Sequence, residues 1–141
     1  MSTPTIRREN THIRVAQLNA QRSVMVLTEL RKLAEDLKLD IICLQEPYSS
    51  KSKIPHMPIT ARVIKEGEAP MAATVILNKN IKVARVSQFC NSHINCTEVV
   101  TCLGGWILVN ICTIWGSPGF EYCENNSKGL CQYPHDYYGG C

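Results

Sequence analysis

The sequence predicts an α/β domain that opens with a strand–helix–strand unit and continues in antiparallel strands. Two observations lead to this prediction. An amphipathic helical pattern lies between two apolar runs near the N-terminus, and the later apolar runs are short and separated by turn residues. A length of 141 residues, of which 45% are hydrophobic and 19% charged, suits a single globular core.

The opening unit is defined by residues 13–18, which have strand character, and by residues 41–44, which are typical of a buried strand. Ser23 offers an N-cap between them. One apolar stripe follows at helical spacing: Leu27, Leu30, Ala34 and Leu37. A connection of this length joins parallel strands, so both carboxyl ends meet at one edge of the sheet. Asn19 follows the first strand and Glu46 the second.

Four further strand-like runs are predicted as two antiparallel hairpins. They follow a polar connection that contains proline and spans residues 49–70. The first hairpin joins residues 72–77 to residues 81–86, and the second joins residues 97–103 to residues 106–111 across a Gly-Gly pair.

Composition divides the chain into three parts. Residues 1–11 are polar and are expected to be disordered, whereas residues 12–111 carry the α/β pattern. Residues 112–141 hold four of the eight cysteines, five of the eight glycines and four of the five tyrosines. They show no periodicity, so this tail is predicted to lie outside the α/β pattern.

The N-terminus lacks the apolar stretch of a signal peptide, and the longest apolar run, residues 71–77, is too short to cross a membrane. We therefore expect an intracellular protein, cytoplasmic or nuclear, whose cysteines are mostly reduced thiols. A small secreted, cysteine-rich protein is the less favoured alternative. The cysteines include no C-x-x-C pair, which argues against a structural zinc site.

The residues at the predicted sheet edge carry a resemblance to a known family. Gln17-Leu18-Asn19 closes the first strand, and Gln45-Glu46-Pro47-Tyr48 closes the second. With the helix between them, this order resembles the opening of the endonuclease/exonuclease/phosphatase superfamily, most closely the endonuclease domain of arthropod non-LTR retrotransposons. The resemblance covers residues 12–111, the N-terminal half of such a domain, and implies an incomplete four-layer α/β sandwich. Phosphoinositide phosphatases and sphingomyelinases share the first motif, but Glu-Pro-Tyr favours the nuclease.

The resemblance implies Mg²⁺-dependent hydrolysis of a DNA phosphodiester, the nicking of a target for retrotransposition, with Mn²⁺ as the alternative ion. Glu46 would hold the metal, because Mg²⁺ takes oxygen ligands and needs only one or two carboxylates. Asn19 would orient Glu46 or bind a phosphate oxygen. Contacts to DNA are predicted for four further residues: Arg22, Tyr48, Lys51 and Lys53.

The chain departs from the family pattern after residue 111. The family continues with a tyrosine, an Asp-x-Asn and a C-terminal Ser-Asp-His, but Cys112 stands at the position of the tyrosine. Asp36 and Asp40 precede Glu46, and only Asp136 follows it. The catalytic set is therefore incomplete. The alternatives are a truncated, inactive copy of the nuclease and a non-catalytic descendant that binds nucleic acid or protein.

Because the resemblance covers only the N-terminal half of the family's domain, part of the apolar sheet surface is predicted to be exposed. In the family the second half supplies the opposing sheet, so Val75, Leu77, Ile107 and Val109 would be exposed. Apolar patches of this kind drive association between chains. We therefore expect self-association through the exposed sheet faces.

Overall fold

The computed structural model describes residues 13–101 and 104–112, together with the backbone of residues 120–126 and 129–135. The elements in chain order are β1 (Ile13–Asn19), α1 (Val24–Leu37), β2 (Ile41–Gln45), β3 (Arg62–Lys65), β4 (Ala72–Ile76), β5 (Lys82–Arg85), a 3₁₀ turn (Ser87–Phe89), β6 (Ile94–Thr101), β7 (Gly104–Ile111), β8 (Phe120–Asn126) and β9 (Gly129–His135). They form a six-stranded sheet in the order β3-β4-β2-β1-β8-β9 and a three-stranded sheet in the order β5-β6-β7.

The predicted opening unit is confirmed. β1 and β2 pair in parallel, with Asn19 opposite Gln45 at their carboxyl ends. Ser23 caps the N-terminus of α1, where its hydroxyl accepts a hydrogen bond from the Val26 N–H at 3.3 Å. Lys38 caps the C-terminus and adopts a left-handed conformation. The buried stripe of the helix is Leu27, Leu30 and Ala34.

The large sheet is covered on both faces by described elements. α1 packs on one face, in a cluster that includes Leu44 and Val75. The small sheet packs on the other face, where Ile41, Ile76 and Val99 belong to a second cluster. The described residues therefore form three layers: a helix, a mixed sheet and an antiparallel sheet. This is a mixed α/β fold with the predicted parallel opening, and the fourth layer of the predicted sandwich is not among these residues.

The predicted exposure of Val75 and Leu77 is wrong. Val75 is fully buried and Leu77 is half-buried, because their face of β4 packs into the cluster that contains α1. Ile107 and Val109 are exposed as predicted, at 60% and 49%. They lie on the face of β7 that points away from the large sheet, and not on the face between the sheets.

The first predicted hairpin is wrong. The second hairpin forms, but its turn lies before the Gly-Gly pair and not at it, because Gly104 and Gly105 belong to β7 and pair with Thr101 and Val100. β4 pairs with β2 and β3, whereas β5 pairs with β6 in the other sheet. The physical reason is burial, since all five residues of β4 are buried and such a strand belongs at the centre of a covered sheet. β6 and β7 pair from Ile94 opposite Ile111 to Thr101 opposite Gly104.

The backbone of the tail joins the large sheet. β8 pairs antiparallel with β1, with Phe120 opposite Leu18, and β9 pairs with β8. The sequence did not indicate these strands, because glycine, cysteine and polar residues interrupt the alternation that identifies a strand. The domain boundary at residue 112 stays a prediction, and the predicted disorder of residues 1–11 lies outside the described residues.

Three cysteines are described as free thiols: Cys90, Cys96 and Cys112. Within the described residues no helix is long and apolar enough to span a membrane. The intracellular location stays a prediction.

Candidate functional site

The candidate site lies at the edge of the large sheet where β1 and β2 end. The Ala20 N–H donates to the Gln45 carbonyl at 2.8 Å, which extends the parallel pairing by one residue. The Arg22 N–H donates to the Glu46 carbonyl, also at 2.8 Å. The turn that follows β1 is therefore tied to the residue that follows β2, and Asn19 and Glu46 lie at the same edge.

Glu46 is fixed by its backbone on two sides. Its φ of 46° is left-handed, a conformation that costs a residue with a side chain about 1–2 kcal/mol. Its N–H donates to the Met71 carbonyl at 2.8 Å, and its own carbonyl accepts the bond from Arg22. The side chain is half-buried. Backbone strain that is held by surrounding hydrogen bonds is common at functional sites.

Asn19 shapes the loop that carries Arg22. Its side-chain oxygen accepts a hydrogen bond from the Gln21 N–H at 2.9 Å, and Gln21 and Arg22 both have left-handed backbones, with φ of 49° and 55°. The Arg22 guanidinium then donates to the Met71 sulfur at 3.2 Å. The described contacts of Asn19 do not include the Glu46 carboxylate, so its predicted role in orienting that group stays a prediction.

Cys112 brings the small sheet to the same edge. Its N–H donates to the His93 carbonyl at 2.8 Å, at the end of β7. Burial raises the pKa of the Cys112 thiol; the Glu46 N–H lowers that pKa, the Glu46 carboxylate raises it, and the Arg22 guanidinium lowers it. The net effect keeps the thiol protonated at neutral pH. Sequence reasoning noted Cys112 only as a departure from the family pattern and did not place it beside Glu46.

Asn110 holds three strands together directly behind this edge. It is 2% exposed, and its side-chain nitrogen donates to the Ala73 carbonyl at 2.9 Å, the Leu44 carbonyl at 3.2 Å and the Thr74 hydroxyl at 3.4 Å. Its side-chain oxygen accepts from the Gln45 amide at 2.7 Å. The side-chain amide of Asn110 thus joins β7 to β2 and β4. Its partner Gln45 is the residue directly before Glu46. The signal in the sequence was a polar residue within the apolar run of β7.

The residues predicted to contact DNA follow Glu46 along one loop. Tyr48 is half-buried against the cluster that contains α1. Lys51 and Lys53 are exposed, in a tight turn closed by two backbone bonds between Ser50 and Lys53 at 2.8 and 2.9 Å. The charges of these two lysines are therefore exposed to solvent, a few residues after Glu46 in the sequence. Their contact with DNA stays a prediction.

Asp40, the aspartate nearest before Glu46 in the chain, is not at this edge. Asp40 is buried at the opposite end of β2, where its carboxylate accepts from the Arg14 N–H at 2.9 Å and from the Asn78 amide at 3.1 Å. Asp40 therefore has a structural role. Asp136 lies outside the described residues.

The donor set at the edge fits a hydrated magnesium ion. Among the described residues no three His, Cys, Asp or Glu side chains gather as a metal cluster. Mg²⁺ keeps several waters and is commonly bound through one or two carboxylates, so the half-buried carboxylate of Glu46 suffices as its protein ligand. The protonated thiol of Cys112 is a poor ligand for so hard an ion.

Labelling of the Cys112 thiol tests this arrangement without reference to activity. At about pH 8, alkylation of Cys112 by iodoacetamide should be slow, because the thiolate is the reactive form and the pKa lies above its ordinary value of 9.0. Glu46→Gln removes a negative charge beside the sulfur and should accelerate the labelling of Cys112, while the labelling of Cys90 stays unchanged. Peptide-level mass spectrometry measures both rates. Equal rates at Cys112 in the two proteins would show that the carboxylate is not beside the thiol.

The architecture defines a class. A parallel βαβ opening, two packed sheets and polar strand ends at one edge resemble part of the endonuclease/exonuclease/phosphatase fold. One solved structure with this architecture is the endonuclease domain of TRAS1, a telomere-specific non-LTR retrotransposon, with a TM-score of 0.61 and 24% identity to this chain. The match covers 70% of this chain and 43% of the solved chain, so this chain spans less than half of that domain. The predicted resemblance is confirmed for the fold. No family model and no curated protein matches the sequence.

Proposed function

We propose that this edge is the metal site of an endonuclease, and that its chemistry is Mg²⁺-dependent nicking of DNA in the service of retrotransposition. The observation that supports this is Glu46, a half-buried carboxylate whose backbone is fixed where β1, β2 and β7 meet. It stands in a fold similar to the endonuclease domain of a non-LTR retrotransposon. On this proposal residues 12–111 are the N-terminal half of a four-layer domain, and residues 112–141 are a divergent tail.

The residues at the edge take distinct roles. Glu46 would hold Mg²⁺ through its carboxylate, with Mn²⁺ as the alternative. When bound, the ion supplies Lewis-acid polarisation of the phosphoryl oxygen and stabilisation of the leaving alkoxide. Asn19 fixes the turn that carries Arg22. Arg22 places a positive charge at the edge for a phosphate oxygen, and the protonated thiol of Cys112 adds no negative charge that would repel the substrate.

A non-catalytic protein that binds nucleic acid is the second candidate. It is favoured by the absence, within the described residues, of a cluster of acidic and histidine side chains around Glu46. On the first proposal, the tail would supply further catalytic groups. The register supports that source, since the first residue of β8, Phe120, and the last residue of β9, His135, are aligned with Leu18 near the end of β1.

Nicking of supercoiled plasmid distinguishes the two candidates. The full 141-residue chain is incubated with plasmid in Mg²⁺, in Mn²⁺ and in EDTA, and relaxed product is measured on a gel. Metal-dependent relaxation supports the nuclease. A folded chain that binds the plasmid and does not relax it in either metal contradicts catalysis and supports the second candidate.

The two exposed lysines that follow Glu46 in the chain give a prediction for DNA affinity. Replacing both Lys51 and Lys53 by alanine should weaken DNA binding and reduce the slope of log K against log salt by about 2, because each phosphate contact contributes roughly one counterion. Fluorescence anisotropy with a labelled duplex at several salt concentrations measures this slope. The matched control replaces Lys32 and Lys79, which are exposed elsewhere, by alanine. An equal loss in the control would mean that the charge acts without a defined contact.

A further inference from the structure

β7 is an edge strand of the small sheet. It pairs with β6 along its whole length, and no other described strand pairs with its second side. An open edge of this kind offers a row of unpaired N–H and C=O groups to another chain. Only every second residue of β7 directs its backbone groups to that side.

The hydrogen bonds around β6 identify these residues. The Cys112 N–H donates to the His93 carbonyl, on the side of β6 that faces β7, and the Val86 N–H donates to the Cys96 carbonyl, on the side that faces β5. Backbone groups of an antiparallel strand alternate between its two sides. The even-numbered residues of β7 therefore bond to β6. The residues that direct their N–H and C=O to the open side are Gly105, Ile107, Val109 and Ile111.

The same residues carry the exposed apolar side chains of the strand. Ile107, Val109 and Ile111 are 60%, 49% and 48% exposed. Natural edge strands usually carry a charged residue, a proline or a bulge that prevents pairing, and the sequence of β7 from Gly104 to Ile111 contains no charge and no proline. The edge thus combines free backbone groups with uncovered apolar surface.

We propose that β7 is a dimerisation edge whose partner is the β7 strand of a second copy of this chain. The two strands pair antiparallel about a two-fold axis at Val109. Val109 then lies opposite its own copy, and Ile107 lies opposite the second copy's Ile111, so that these opposed pairs on the exposed face are both apolar and hydrogen-bonded. A two-fold axis at Ile107 would instead place Gly105 opposite Val109, which loses one apolar pair.

The absence of charge on β7 favours a second copy as the partner, and the small buried area sets the strength of the dimer. The two identical surfaces of an isologous interface must be complementary to each other. Because β7 carries no charged residue, pairing it with its own copy brings no like charges together. The nearest charge on this face, Glu98, lies opposite Ile107 on β6 and is one strand removed from the axis. One strand from each copy buries less than the roughly 1,600 Å² of a standard interface, so the dimer should be weak and reversible. This proposal does not depend on the nuclease activity.

The wild-type chain provides the first test. Sedimentation velocity in reducing buffer, which excludes disulfide-linked dimers, should show a monomer–dimer equilibrium from micromolar to sub-millimolar concentrations. Amide hydrogen exchange should slow with concentration at Ile107, Val109 and Ile111 and stay constant at Leu108 and Asn110, which already bond to β6. A monomer at every concentration overturns the proposal, as does concentration-dependent protection at any other surface.

Charge substitution at the axis provides the second test. Val109→Lys and Val109→Glu should each weaken dimerisation by about tenfold or more, because the axis sets like charges against each other. An equimolar mixture of the two variants should recover the dimer. Phe89→Lys adds the same charge at a residue that is also 60% exposed but lies off this edge, and it should leave the dimer unchanged. Loss of the dimer in Phe89→Lys, or no recovery in the mixture, overturns the proposed register.

Discussion

Replacing Asn110 by alanine is expected to lower the free energy of unfolding by about 2–4 kcal/mol. The side chain is buried and bonds to Leu44 and Gln45 of β2 and to Ala73 and Thr74 of β4. Alanine leaves the Gln45 amide without that acceptor in a buried position and opens a cavity between the sheets. Each of these changes costs free energy because the buried groups cannot return to water.

Urea unfolding followed by circular dichroism measures this loss, at a protein concentration low enough that association does not contribute. The matched control is Asn80→Ala, the same substitution at an exposed asparagine in the turn before β5. We expect the control to change stability by less than about 0.5 kcal/mol. A loss in Asn110→Ala as small as in the control would contradict the hydrogen-bond network and, with it, the support for the turn that carries Glu46.

Glu46→Gln is expected to remove Mg²⁺-dependent nicking, by about 100-fold or more, while the protein stays folded. Metal ions contribute several kcal/mol to stabilisation of the transition state in phosphoryl transfer, and loss of about 3 kcal/mol corresponds to a factor of about 100. Glutamine has the same shape and adopts the same left-handed backbone, so the bonds from Arg22 and to Met71 are preserved.

The same plasmid assay measures the effect, with Glu98→Gln as the control. Glu98 is an exposed carboxylate on β6, away from the edge, and its substitution should leave the rate unchanged. Thermal melting shows whether the variant stays folded. Undiminished nicking by a folded Glu46→Gln variant would contradict the proposed role of Glu46 as the metal ligand.

The local part of the fold could be predicted from the sequence because its signals lie within a few residues of each other. Ser23 and the apolar stripe of α1 specify a helix wherever they occur, and two apolar runs on either side of a helix specify parallel strands. From these elements alone, Asn19 and Glu46 are brought to one edge. This is the part of the candidate site that follows from topology.

The remainder depends on which strands pair across the core, and the sequence does not encode that locally. Because β4 and β5 are close in the chain, the sequence predicts a hairpin between them. Burial on both faces instead places β4 beside β2. Asn110 and Cys112 become part of the edge only because the small sheet packs on the large one. Neither residue has a neighbour in the sequence that indicates this, so their roles emerge only from the tertiary structure.

Locating the divalent metal ion tests most directly whether the edge that carries Glu46 is a metal site. Mn²⁺ broadens the amide NMR signals of residues near its binding site, so a titration of the ¹⁵N-labelled chain maps that site independently of catalysis. We expect broadening at Glu46, Arg22 and Cys112 in the wild-type chain, and loss of that broadening in Glu46→Gln. Broadening centred on another part of the chain, or unchanged in Glu46→Gln, would contradict the assignment of this edge as a metal site.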